Sequence, residues 1–79
     1  MPLCFGDINT EYIIKKIVGS YKIRHHLTEL GFIVGGKVTI IATISGNLIV
    51  NVKETKVAIS KELAMKIFIW NRYILDHPL

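Results

Sequence analysis

Apolar and polar positions along the chain alternate in short runs, and these predict five strands and two helices. Residues 11–18 put Tyr12 and Ile14 on one face of an extended segment bounded by Asn9-Thr10 and Gly19-Ser20. Ile17 falls out of phase, and a bulge near Lys15 and Lys16 returns it to that face. Ile23, Leu27 and Leu30 then recur at i, i+4 and i+7, which is one stripe of a helix. Ser20 fits its N-cap, and Gly31 supplies the left-handed residue that ends it. After a turn at Gly35-Gly36, residues 37–44 send Val38, Ile40, Ala42 and Ile44 to one face and Thr39, Ile41 and Thr43 to the other. Ser45-Gly46-Asn47 reads as a hairpin turn. Leu48, Val50 and Val52 alternate with Ile49, Asn51 and Lys53 on the way back.

The remaining segments are shorter. Residues 53–56 read as a polar connection and 57–59 as a short strand. Ser60 caps a second helix running through residue 66, which buries Leu63, Ala64 and Ile67. Residues 68–70 form a last strand that closes the sheet. Residues 3–10 are an irregular lead-in in which Asn9 takes a positive φ. The pattern ends at residue 70, so residues 1–70 are expected to form one domain. Residues 71–79 are expected to fray, since Pro78 cannot continue a ladder. A single antiparallel sheet this small must curl to cover its own apolar face, which makes a small, mainly β barrel.

Composition narrows the function. With 79 residues and 51% apolar content, the chain has room for one core. One cysteine, Cys4, excludes an internal disulfide and fits a reduced, cytoplasmic setting. The start of the chain lacks a basic segment followed by an apolar one, so no signal peptide is expected. The longest uncharged run, 38–52, is too short and too interrupted for a membrane helix. The formal charge of +4 suits nucleic acid, an anionic surface or an acidic protein, but the cations are scattered along the whole chain.

The order of these residues resembles the FeoA family of small proteins of ferrous iron uptake. The same module forms the C-terminal domain of DtxR-type repressors. Leu3 matches the family's leading leucine, Ile14 and Ile17 its isoleucine pair, and Gly19 the following glycine. Leu27, Leu30, Gly31 and Gly35 match its helix-stop-turn motif. Val57, Ala58, Ile59 and Ser60 match the late strand, and Ala64 and Ile67 follow in place. Four positions depart from the pattern: His26 replaces an arginine, Val34 a proline, Asn9 a glycine and Glu54 a glycine. The hairpin loop also lacks its usual proline. The resemblance implies an SH3-like β-barrel of about five strands with two short helices. It also implies a cytoplasmic, non-catalytic accessory role, docking on the cytoplasmic part of a FeoB-type membrane transporter.

Chemistry of the chain's own is not expected. His25 and His26 are adjacent and point about 100° apart on a helix, so they cannot chelate one ion. His25 and Glu29 are four apart and can share a surface ion. Neither Cys-x-x-Cys nor His-x-x-x-His occurs. No metal site or cofactor is expected, and His26 should pack half-buried beside Leu27. Cys4 lies in a lead-in expected to be mobile, and Gly31, Gly35 and Gly36 lack the Lys-Ser/Thr of a phosphate loop. Two binding classes stay open. One is protein docking through Tyr21, Arg24, Phe32, Ile33, Val34 and Ile41, with the residues between the two glycines free at a tip. Leu27, Leu30, Gly31 and Gly35 then serve the fold. Ile33, Ile41 and Ile49 could join in one apolar patch. The alternative is nucleic acid binding through Tyr12, Lys15, Lys16, Tyr21, Lys22 and Arg24.

Overall fold

The computed structural model describes residues 1–71. Their elements run in the order of a 3-10 turn at Leu3–Phe5, β1 (Glu11–Ile17), α1 (Tyr21–Leu30), β2 (Lys37–Ile44), β3 (Asn47–Val52), β4 (Thr55–Ser60), α2 (Lys61–Ala64) and β5 (Ile67–Asn71). The five strands form one antiparallel sheet in the order β4-β3-β2-β1-β5. β5 adds beside β1, and the chain crosses from β4 through α2 to reach it.

One core joins every strand. Tyr12, Ile14, Val38, Ile40, Leu48, Val50, Val52, Ile59, Ile67 and Ile69 pack together with Leu3, Leu27, Phe32 and Ala64. Such residues each contribute about 1.5–3 kcal/mol by leaving water. The buried Tyr12 ends in a hydroxyl that accepts from the Asp7 backbone N–H at 2.7 Å.

The N-terminal lead-in is anchored, contrary to the expectation of mobility. Leu3 is fully buried. Pro2 bridges Phe68, and the Ile69 N–H donates to the Met1 carbonyl at 2.8 Å, so this segment covers part of the β5 edge. Cys4 is half-buried against the core, and its thiol donates to the Met65 thioether at 2.9 Å. Asn9 does take a positive φ of 63°.

Two bulges set which side chains face inward. The register of β1 on β5 shifts between Ile14 and Lys16, where the out-of-phase Ile17 required it, and Ile17 packs against the core. A second shift, in β2 between Ile40 and Ala42, has no sequence signal. It inverts the alternation beyond Ile41, so Ile44, expected inside, is 57% exposed. α2 is also shorter than expected and ends at Ala64. Its N-cap is as read, with the Ser60 hydroxyl accepting from the Leu63 N–H at 3.2 Å. Asn71, placed in the tail from sequence, still pairs Tyr12 at the end of β5. The expectation of fraying from residue 72 onward lies outside the described residues.

The connection expected over residues 53–56 is a two-residue hairpin turn. Lys53 and Glu54 both take positive φ, 52° and 61°, between paired Val52 and Thr55. That is the backbone of a type I′ turn, which Asn-Gly suits and Lys-Glu does not. A side chain in this region costs about 1–2 kcal/mol. The variant Glu54→Gly is therefore expected to raise unfolding stability by about 1 kcal/mol, read as a higher urea midpoint. A lowered midpoint would mean that the Glu54 side chain makes a compensating contact.

Candidate docking surface

α1 and the turn after it carry most of the residues singled out in the sequence. The helix starts where the Ser20 hydroxyl accepts from the Ile23 N–H at 3.2 Å. It stops at Gly31, with φ 112° and ψ 0°. The Gly31 N–H donates to the Thr28 carbonyl and the Phe32 N–H to the Leu27 carbonyl, both at 3.0 Å. This pair of bonds is the Schellman arrangement, which sets the residue after the glycine against the helix's last inward turn. Phe32 and Leu27 are accordingly both 0% exposed.

That geometry corrects the expectation for Phe32. It is a core residue and cannot meet a partner. The signal was present in the spacing Leu27-x-x-x-Gly31-Phe32, which is the hydrophobic half of the cap. Leu27 is buried in the core, Leu30 is half-buried against it, and Gly31 and Gly35 both take positive φ.

Ile33 and Val34 are the exposed pair, at 40% and 60%. They sit in a reverse turn in which the Gly36 N–H donates to the Ile33 carbonyl at 2.8 Å and Gly35 has φ 88°. This is a type II turn, with Val34 where proline is favoured. The turn is tied to the sheet: the Gly35 N–H donates to the Ile14 carbonyl at 2.8 Å, and the Ile14 N–H to the Gly36 carbonyl at 2.9 Å. Two aliphatic side chains are thus presented on a fixed backbone.

The other named residues lie apart. Tyr21 and Arg24 sit on the first turn of α1, roughly 14 Å and 9 Å of helix from its C-terminal end at about 1.5 Å per residue. Tyr21 is 74% exposed and stacks on His25 at 5.8 Å between ring centroids. The Arg24 Nε donates to the Gly19 carbonyl at 3.2 Å. Ile41 is half-buried at the β2 bulge, some strand length from the tip, and Ile49 is half-buried opposite Ala42. The patch of Ile33, Ile41 and Ile49 is therefore split between two parts of the surface. His26 is exposed rather than half-buried, because Leu27 alone of that turn points inward.

Polar clusters are sparse. His25 Nε2 and Glu29 Oε1, read from sequence as able to share a surface ion, contact each other directly at 3.1 Å. Among the described residues no three His, Cys, Asp or Glu side chains converge. A cleft of about 340 Å³ lies between Gly31, the start of β2 and the β3–β4 turn. Its charged walls mix Glu11 and Glu54 with Lys37 and Lys53. Two contacts escaped the sequence reading. The Lys15 ammonium sits 4.5 Å from the Trp70 ring centre, and that of Lys16 sits 5.0 Å from Phe68. The alternation of Phe68 and Trp70 with buried Ile67 and Ile69 was the available signal. Tyr12, by contrast, is buried and offers no stacking surface.

The described residues thus form a small, mainly β sheet with an exposed aliphatic tip on a hydrogen-bonded turn. The FeoA domain model matches residues 1–70, so the chain belongs to the FeoA family, which carries a role in ferrous iron transport. A putative Fe(2+) transport protein A of Methanocaldococcus jannaschii is 34% identical over 68 residues, 86% of this chain and 83% of that protein. The zinc-complexed FeoA of Stenotrophomonas maltophilia, described as a prokaryotic SH3 domain protein, superposes with a TM-score of 0.77 at 24% identity, covering 89% of each chain. The repressor ScaR, solved with cadmium, shares the fold over 90% of this chain and 34% of its own, with a TM-score of 0.81 at 14% identity. The fold is thus SH3-like, and no described helix is long and apolar enough to cross a membrane.

Core and tip respond differently to substitution. Phe32→Ala is expected to cost about 3–5 kcal/mol of unfolding free energy, against about 0.5 kcal/mol or less for Val34→Ser. Urea titration measures both, and equal costs would contradict the assignment of Phe32 to the core.

Proposed function

We propose that the chain is a non-catalytic accessory protein of ferrous iron uptake that docks on the cytoplasmic part of a FeoB-type transporter. The family membership supports the pathway. The observation that carries the docking is the Ile33 and Val34 tip, where two exposed aliphatic side chains stand on a turn tied by hydrogen bonds to β1. Preorganisation of this kind lowers the entropy lost on binding, because the backbone is already ordered. Exposed aliphatics on a fixed frame suit a shallow apolar pocket on a protein partner better than a small polar ligand.

The tip takes the central place in this reading. Tyr21 and Arg24 stand a helix length away and would meet the partner only if its footprint extended along α1. Ile41 lies on a different element and serves as a rim contact at most. The docking adds no bond-making step, so its effect on transport would come through the transporter's own conformational equilibrium.

Titration of the transporter's isolated cytoplasmic domain against this protein tests the proposal. Ile33→Asp places a charge at an exposed position and leaves the fold intact by circular dichroism. It is expected to weaken binding by about 10-fold or more, as for a central apolar anchor. Absence of binding at high micromolar concentration, or unchanged affinity in Ile33→Asp, would overturn it.

A further inference from the structure

The cations that look scattered along the sequence are gathered by the fold. Two segments, residues 12–28 and 63–71, carry Lys15, Lys16, Lys22, Arg24 and Lys66 and no carboxylate. The rest of the described chain carries four cations, Lys37, Lys53, Lys56 and Lys61, against five carboxylates. The two cationic segments pack on each other. β1 pairs β5, and the Val18 N–H donates to the Lys66 carbonyl at 2.9 Å. They converge at Gly19. Its carbonyl accepts from Arg24 Nε, and the Lys66 stem runs past it, with Cδ 3.1 Å from where a Cβ would stand.

Aromatic side chains lie among these cations. Trp70, 40% exposed, and the half-buried Phe68 project from the outer face of β5 with the ammonium groups of Lys15 and Lys16 over their rings. Val18 and Tyr21 are exposed beside Gly19, where the end of β1 meets the start of β5. We propose that this β1–β5 flank, with the start of α1, is a docking face for an anionic lipid bilayer surface.

The chemistry favours lipid over the other polyanions. Single-stranded nucleic acid would stack its bases on ring faces, and one face of each of Trp70 and Phe68 already carries a lysine ammonium. An acidic protein partner would favour a pocketed, lysine-poor centre, and the cleft of this molecule lies elsewhere, beside Lys37 and Lys53. Indole and phenol groups prefer the headgroup level of a bilayer, and lysine stems lie along apolar surface while their ammonium groups stay in water. Five cations, bordered by Glu11 at the start of β1 and Glu29 near the end of α1, leave this face net positive and complementary to phosphatidylserine. The proposal does not depend on the transporter reading, since a protein-free vesicle presents the whole ligand.

Trp70 is the chain's one tryptophan, so its fluorescence reports on this face directly. The full chain is titrated with vesicles of about 30% phosphatidylserine in phosphatidylcholine. The expected result is a blue shift of Trp70 emission and co-sedimentation, both lost in pure phosphatidylcholine and weakened by added salt. The double variant Lys15→Gln, Lys16→Gln is expected to lower the partition coefficient about 25-fold, from about 5-fold per cation. Lys56→Gln with Lys61→Gln, on β4 and α2, keeps the full affinity.

Three results would overturn the proposal. One is no shift or sedimentation with anionic vesicles. A second is an equal loss in the Lys56 and Lys61 variant, which would mean diffuse net charge. The third is tighter binding to a single-stranded oligonucleotide than to the vesicles, with Trp70 quenched, which would assign the face to nucleic acid.

Discussion

The structure depends on how α1 stops. A helix on this small sheet must leave it at a defined angle, and the Gly31 cap fixes that angle with two backbone hydrogen bonds, from the Gly31 and Phe32 N–H groups. The same geometry drives Leu27 and Phe32 into the core that they share with buried residues of all five strands. The chain then turns at Gly35 and is tied to Ile14 before entering β2. One glycine with positive φ thus links helix, core and sheet, and it determines which of the next residues reach solvent.

Function follows from what this constraint leaves over. Phe32 is consumed by the cap, so the surface of the turn reduces to Ile33 and Val34. The sheet's outer face is left to strand alternation, which turns Phe68 and Trp70 outward toward Lys15 and Lys16. Two surfaces of different character result: a small aliphatic tip on the turn tied to one side of β1 at Ile14, and a cationic, aromatic flank where β5 pairs the other side of that strand.

Much of this was legible in the residues. The caps at Ser20, Gly31 and Ser60, the bulge in β1 and the positive φ of Asn9 all followed from local rules. The family motif, read from Leu27, Leu30, Gly31 and Gly35, led to the SH3-like fold that the comparisons show. What escaped depends on pairing between distant strands. The β2 bulge at Ile41 answers to its register on β3 and exposes Ile44 against its alternation. The turn at Lys53 and Glu54 is imposed by the β3–β4 pairing on two residues that do not favour it. The candidate site was half legible: exposed Ile33 and Val34 were found, Phe32 was misplaced, and the gathering of cations became visible only once β5 was seen beside β1.

Native-state hydrogen exchange tests the central claim most directly. If the cap and its tie to β1 hold helix and sheet together, the amides of Phe32, Gly35 and Ile14 exchange only through global unfolding, with the same free energy as the core of β3. Fast exchange at Phe32 and Gly35 while the β3 amides stay protected would show the turn opening independently. The rigid tip on which the docking account rests would then be contradicted.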